Sequence, residues 1–430
     1  MDNNSKFITS LENEVFEFVE DVERELHSII SERTNNVAFG IKKVLDAFYK
    51  ERLGTHHFFS VNGYGHNDLG KDLIDKVFAE IFGAEKAAIR MQLVSGTHAI
   101  AAALFGILRP GDNLLSITGK PYETLEEVIG IRGKGKGSLI EFGITYDEIS
   151  IFQNDQLDLD ILLDALKIKR KMIFIQRSCG YSVRPSLSIN DIETICKKIH
   201  ELDSETVCFV DNCYGEFVEL KEPSQVGADI IAGSLIKNPG GTIVPAGGYI
   251  AGKADLVEKA CCRLTSPGIG SQGGSSFDLN RLVLQGLFLA PQMVSEALIG
   301  AEIISSVFLK LGFDVKPLPG TYRSDLIQAV CFGNPEILKM VCSAFQLTSP
   351  VGSYLKPTPS GMPGYKNQLI MSGGTFIDGS TSEFSADAPL ISPYNLFVQG
   401  GTHRSHIKLA VTKAIVLLLQ AGYVRLPHNS

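Results

Sequence analysis

The sequence predicts an α/β protein: a large domain on a mostly parallel sheet, followed by a smaller C-terminal α+β domain. Three observations carry this. Short apolar runs at 87–94, 113–117, 171–175 and 207–210 alternate with segments of helical apolar spacing, the pattern of crossover units that lay strands side by side in one direction. The 430 residues exceed what one hydrophobic core usually serves, so two or three domains are expected. A long helical pattern at 279–311, interrupted at Pro291, reads as a link to a second mixed segment. The expected division is a helical arm over 1–60, the large domain over 61–300 and the small domain over 301–430.

Composition narrows the function. With 44% hydrophobic and 20% charged residues, the chain has the balance of a soluble globular protein. A net charge of −8 gives no electrostatic case for nucleic acid or an anionic membrane as partner. The eight cysteines form no CxxC pair, and Cys261 and Cys262 are adjacent, a poor spacing for a disulfide framework or a zinc site. They read as reduced thiols of a cytoplasmic protein. The N-terminal segment is acidic and helical in pattern, unlike a signal peptide. No uninterrupted apolar run approaches the roughly 20 residues of a membrane span.

Taken in order, Phe7, Leu11, Val15, Phe18, Val19, Val22, Leu26, Ile29 and Ile30 stand at helical spacing. They predict two helices divided near 33–36, packing on the body or on a second subunit. A Gly/Asn-rich loop with aromatics, 56–68, leads into a helix at 69–82. Its His56 and His57 have no third ligand at metal spacing, so no metal is expected. The strand at 87–94 runs into Ser95-Gly96-Thr97-His98, which opens a helix at 99–108. Small residues at such a turn let backbone amides close on a phosphate, with the helix dipole favouring the anion. Ser95 also reads as an ordinary N-cap, and His98 as a structural donor. After the strand at 113–117 stands Tyr122, an aromatic at a strand end that can stack on a flat ring. Residues 129–139, rich in Gly and Lys, read as a surface loop.

Helices are expected at 157–167 and 189–202, flanking the strand at 171–175. Arg177 follows that strand, a candidate for the cofactor or a substrate carboxylate through its planar fork, or for a structural ion pair. The strand at 207–210 ends in Asp211, and the apolar run 229–232 leads through Ser234 to Lys237 and a Pro-Gly-Gly break. Ligands of open parallel sheets bind at the carboxyl ends of strands, so Asp211 and Lys237 converge on one crevice. An aldehyde cofactor with a basic ring nitrogen needs that pair, an amine for a Schiff base and a carboxylate to keep the nitrogen protonated. Beyond lie a short strand at 248–251 and a Gly/Ser loop at 261–276. The second domain is expected to hold strands at 327–331 and 368–371 and helices at 335–347 and 407–421, with loops 361–365 and 384–401 facing the substrate.

Longer motifs add a resemblance. They are SGTHAI at 95–100, GKPYETLEEVIG at 119–130, QRSCGYSVRPS at 176–186, VDNCYGEFVE at 210–219, GSLIKNPGG at 233–241, RLTSPGIG at 263–270 and MPGY at 362–365. Across nearly the whole chain the sequence resembles the fold-type I pyridoxal-phosphate enzymes, whose large domain is aspartate-aminotransferase-like. Within them it is similar to the cystathionine β-lyase and methionine γ-lyase group, and to the branch labelled aluminum resistance protein. The resemblance implies pyridoxal 5'-phosphate linked to Lys237, with Asp211 at its ring nitrogen. Ser95, Gly96, Thr97 and Ser234 would hold the phosphate, and Tyr122 would stack on the ring and act as acid or base. It implies cleavage of a carbon–sulfur bond in cystathionine, methionine or cysteine, by β- or γ-elimination.

The resemblance also implies a homodimer or homotetramer with the active site at the subunit interface. The loop at 56–68 would cross to the neighbour, with Tyr64 on the cofactor phosphate. His66 stands where the family has an arginine, a departure that lowers charge complementarity. Transsulfuration enzymes clamp the substrate carboxylate with an arginine in an R-L-S-V stretch; here Lys408 takes that place. The expected anchor is therefore Arg404, after the flexible Gly400-Gly401, or Arg177. The same scaffold supports γ-replacement or aldol-type cleavage, and a noncatalytic binder of a phosphorylated ligand in metal stress is the alternative outside enzymes.

Overall fold

A computed structural model describes residues 3–133, 136–362 and 366–427. Of the motif at 362–365 only Met362 falls among them. The chain divides into two units, Phe39–Pro291 and a second made of Met1–Ala38 with Gln292–Ser430. It passes from one to the other within helix α2 (His27–Lys50) and again within helix α9 (Asn280–Lys310), at Pro291.

In the first unit, α3 (Leu69–Phe82) precedes β1 (Lys86–Arg90), and α4 (Gly96–Ile107) precedes β2 (Asn113–Ser116). Then come α5 (Glu123–Ile129), β3 (Thr145–Glu148), a small hairpin of β4 (Phe152–Gln153) and β5 (Gln156–Leu157), and α6 (Leu159–Ala165). The remainder is β6 (Met172–Gln176), α7 (Ile189–Leu202), β7 (Val207–Asp211), β8 (Ile230–Ser234), β9 (Gly248–Gly252) and α8 (Ala254–Leu264). Among the described residues seven strands make one sheet, in the order β1-β9-β8-β7-β6-β2-β3. The pairs from β8 through β7, β6 and β2 to β3 are parallel, whereas β9 is antiparallel to both β8 and β1. Only β9 is reversed, so the other strands end at one edge.

The central strands are buried at every position because helices cover both faces. Ile173, Ile175 and Val210 pack with α3 and α7, and Met172, Phe174 and Phe209 with α4 and α8. That two-sided burial is why these strands read as unbroken apolar runs. Ser188 and Asp191 form a capping box that starts α7 at the expected residue. The Gly/Ser segment expected at 261–276 begins inside α8, whose apolar stripe buries Leu256, Val257, Ala260 and Cys261.

In the second unit, α1 (Asn3–Glu25) is separated from α2 at Leu26 rather than near 33–36. The expected arm is thus not a separate body: Val15, Val19, Val22 and Leu26 share a core with Ile299, Ile303 and Phe308 of α9. Strands β10 (Asp314–Lys316), β11 (Gln328–Cys331), β12 (Leu369–Ser372), β13 (Ser385–Pro389) and β14 (Asn395–Gln399) form an antiparallel sheet, ordered β10-β11-β14-β13-β12. Helices α10 (Pro335–Leu347) and α11 (Arg404–Gln420) pack in the same core. The segment expected as a loop at 384–401 holds β13 and β14. By length and composition α9 could cross a membrane, yet 67% of its most apolar stretch is buried in the protein, as in a core helix.

Candidate active site

The shared strand edge gathers side chains from four segments. Asp211 is the last residue of β7, and Lys237 follows β8 by one short loop, capping a 3-10 turn at Asn238–Gly240. The buried Asp211 carboxylate accepts the Cys213 N–H at 3.1 Å. Burial pushes the Asp211 carboxyl up, against the opposing pull of Lys237. Burial also opposes the charge on Lys237, but Cys213, Tyr214, Asp211 and Tyr122 outweigh it and hold the amine above its usual range. Lys237 Nζ sits 3.8 Å from the centre of the Tyr214 ring, a cation–π contact.

Tyr214 makes that contact from a left-handed backbone, φ +70°, and Phe217 follows at +60°. Such φ values in bulky residues cost on the order of 1–3 kcal/mol each and persist where surrounding structure enforces them. The enforcing structure is Arg177. Its side chain is fully buried, donating to Asn212 Oδ1 at 2.7 Å, the Gly215 carbonyl at 3.0 Å and Glu219 Oε1 at 2.9 Å. Arg177 therefore tethers the loop after β7 rather than facing a substrate. Arg184, in the same motif, is the arginine whose charge acts on Asp211.

The expected phosphate cradle lies beside the lysine strand. Ser95 caps α4, its Oγ accepting the His98 N–H at 3.1 Å. A Cβ on Gly96 would come within 3.2 Å of Ser234 Cβ and 3.3 Å of Cys213 Sγ, so any larger residue would make these neighbours give by a few tenths of an ångström where the start of α4 meets β8. Tyr122 donates its hydroxyl to Thr97 Oγ1 at 3.1 Å, and its backbone N–H goes to Gln176 Oε1 at 3.3 Å. Burial, then the negative charge of Asp211, keep this phenol well above its usual range and hence protonated at neutral pH.

Beneath the lysine turn lies a network that sequence reasoning missed. Asn238 donates to the Glu216 carbonyl at 2.9 Å, and the Glu216 carboxyl accepts the Tyr249 hydroxyl at 2.7 Å. Glu216 is fully buried and its Oε2 has no hydrogen-bond partner among the described residues. Burial pushes this carboxyl up to about 8. Only the VDNCYGEFVE motif carried a sign of it.

The remaining expected residues stand apart from these contacts. Tyr64 is 82% exposed and its ring lies 5.7 Å from that of His66. In the second unit, Arg404 opens α11 and is gripped by Glu296, which accepts its Nε at 3.1 Å and its Nη2. Lys408 is buried between Glu20 and Glu23.

Comparison with known proteins follows this geometry. The methionine gamma-lyase family model matches residues 15–419. YnbB of Bacillus subtilis, described as an uncharacterized protein, is 46% identical over 379 residues, which are 88% of this chain and 90% of that protein. The crystal structure of a carbon-sulfur lyase involved in aluminum resistance from Clostridium novyi NT is 41% identical, with a TM-score of 0.90. The match covers 97% of this chain and 99% of that one. The pyridoxal-5'-phosphate dependent protein YhfS of Escherichia coli, 17% identical with a TM-score of 0.58 over 90% of this chain and 96% of its own, shares the fold. With its mostly parallel sheet, the large unit has the fold of the type I pyridoxal-phosphate enzymes. A match over so much of the sequence identifies the chain as a member of the methionine gamma-lyase family.

Proposed function

We propose that the protein is a pyridoxal-phosphate-dependent lyase that breaks the carbon–sulfur bond of a sulfur amino acid. The observation that carries this reading is the meeting of Lys237, Asp211 and the α4 start at the ends of adjacent strands. The residues fit the cofactor: a part-buried amine, a buried carboxylate within its electrostatic reach, and a helix start at which a Cβ on Gly96 would crowd Ser234 and Cys213. Ser95, Gly96, Thr97 and Ser234 would hold the phosphate through hydroxyls and the α4 amides, and Tyr122 would cover the ring. When bound, pyridoxal 5'-phosphate supplies a carbonyl for the substrate amine and an electron sink for the charge left at Cα.

The chain's own groups then divide the proton work. Lys237 carries the proton to and from Cα. Asp211, kept dry, holds a positive charge opposite its carboxylate. Tyr122 is a phenol at neutral pH and so can give its proton to the departing sulfur. Tyr214 and the Glu216–Tyr249–Asn238 network fix the direction of the lysine. Arg404 is the proposed anchor of the substrate carboxylate, its fork oriented by Glu296 through Nε and Nη2. On the same reading a second copy of the chain brings Tyr64 and His66 to the site. The exposure of Tyr64, Phe59, Val94 and Phe277 is in keeping with such a cover.

The test is a panel of cystathionine, methionine and cysteine, followed for thiol and keto-acid release. Borohydride reduction of the purified protein should leave a pyridoxyl mass tag on the peptide containing Lys237. A protein that stays colourless after cofactor addition, with no tag, would remove the reading.

A further inference from the structure

At the opposite ends of β7 and β8 lies a second cluster that this chemistry does not use. Cys196 and His200 are four residues apart on α7 and so share one face of the helix. Cys208 is the second residue of β7, and Asp229 immediately precedes β8. His200 Nε2 lies 2.9 Å from Asp229 Oδ2, and the same oxygen accepts the Cys208 backbone N–H at 2.7 Å. One ligand atom each of His200, Cys208 and Asp229 lie within 4.8 Å of one another. Cys196 and Cys208 are wholly buried, and the neighbouring Cys196 together with burial holds the Cys208 thiol well above its usual range.

We propose that His200, Cys208 and Asp229, joined by Cys196 drawn in from α7 as fourth ligand, form a structural zinc site that ties α7 to the amino-terminal ends of β7 and β8. Two sulfurs, one imidazole nitrogen and one carboxylate oxygen are a closed tetrahedral set for a borderline-soft d10 cation, and too soft for magnesium or calcium. Binding forms four bonds, to both Sγ atoms, to Nε2 and to Oδ2; the His200 ring keeps its proton on Nδ1 instead of Nε2, and two thiol protons go to solvent with no change of oxidation state. Zinc with two thiolates and a carboxylate is left one negative charge in excess. Lys253 offsets it, its Nζ lying 2.7 Å from Asp229 Oδ1, the oxygen not used for the metal. The Cys208 N–H remains as an outer donor to Oδ2. His200, 26% exposed, and Lys253, 52% exposed, mark the side from which an ion enters. Three residues of strand, roughly 10 Å, separate this cluster from Asp211, so the site stiffens the strands without taking part in the reaction.

The test uses the full-length protein with its cofactor, stripped by a chelator, dialysed against zinc and assayed by elemental mass spectrometry. About one zinc per chain is expected, together with a higher melting midpoint. Lys237→Ala should retain the ion, since pyridoxal chemistry does not hold it. His200→Gln, which keeps a donor for Asp229 and therefore the fold, should lose it, as should Cys208→Ala. Cobalt in place of zinc should give thiolate charge-transfer and tetrahedral visible bands in the wild type, a readout that stands even where Cys208→Ala fails to fold. A folded wild type that retains no zinc and shows no such bands overturns the proposal. So does equal retention by His200→Gln, which would leave the cluster a hydrogen-bonded tether only.

Discussion

Two largely buried lysines, one in each unit, show how a cation is kept for structure or kept for chemistry. Lys408 lies between two glutamates, its charge matched by carboxylates from another helix. Lys237 has no such clamp among the described residues: its ammonium faces the ring of Tyr214, with Asp211 acting on it through space. An ion pair satisfies a charge by fixing it, whereas a ring face favours the charge while leaving the nitrogen free to change partners. The carboxylates follow the same division. Glu20 and Glu23 are engaged at the surface of α1, while Glu216 keeps a buried oxygen without a partner among the described residues. Leaving polar groups short of partners is costly, and the chain does so beside Lys237.

The sharpest way to break this contrast is to remove Lys237. Lys237→Ala should reduce carbon–sulfur cleavage to background with an unchanged far-ultraviolet dichroism spectrum, because the strands that build the crevice do not depend on this side chain. Activity near wild type would end the contrast at once. Asp211→Asn comes next. It should leave a coloured protein whose turnover falls by roughly 10²–10³, the range for removing one preorganised charge-stabilising group. Stopped-flow absorbance would show whether the loss lies in proton removal.

Arg404 and Lys408 divide the second unit by the same logic. Arg404→Ala should raise the Michaelis constant by an amount equivalent to about 2–5 kcal/mol, with the cofactor spectrum unchanged. Lys408→Ala should leave that constant alone and lower the thermal midpoint, since Glu20 and Glu23 would face each other uncompensated; about 1–2 kcal/mol is expected for a part-buried pair. Exchange of the two outcomes would return the carboxylate anchor to Lys408.

A last effect is a matter of pH rather than of turnover. Glu216 has its carboxyl raised from 4.5 to about 8 in the fold, so the folded state holds this proton more tightly than the unfolded chain. Its contribution to stability is complete below 4.5, falls by about 1.4 kcal/mol per pH unit above that, and is gone once pH passes 8. Glu216→Gln should flatten that part of a pH–stability profile measured by denaturant titration. A variant whose profile parallels the wild type would place the proton elsewhere.

How far the sequence could carry these conclusions differs by element. Helix α7 is legible to the residue because Ser188 and Asp191 punctuate its start, and α10 because Asn334 and Pro335 do the same. The reversed direction of β9 was not legible, since an apolar run has no arrow. Strands β13 and β14 were hidden in an expected loop: S-A-D-A-P and N-L-F-V-Q are short and only half apolar, and become strands by pairing with each other and with β12 and β11. Lys237 and Asp211 stood out because both end apolar runs. Tyr214 did not, because its contact depends on a left-handed backbone that no residue type there announces. Arg177 was visible as a cation at a strand end, but its depth was not, and depth decides what it can touch.

The double passage of the chain between its units has a consequence for synthesis. Helix α1 is made well before α9, yet the partners of Val15, Val19 and Val22 in its core belong to α9 and the elements after it. At ordinary elongation rates the ribosome delivers those residues on the order of tens of seconds later. During that interval the crevice unit, whose residues run without interruption from 39 to 291, can complete its sheet while the apolar stripe of an otherwise acidic helix waits unpaired. The end of the message, rather than its beginning, closes the second core, and a chain cut short there would release a finished crevice with its first helix still uncovered.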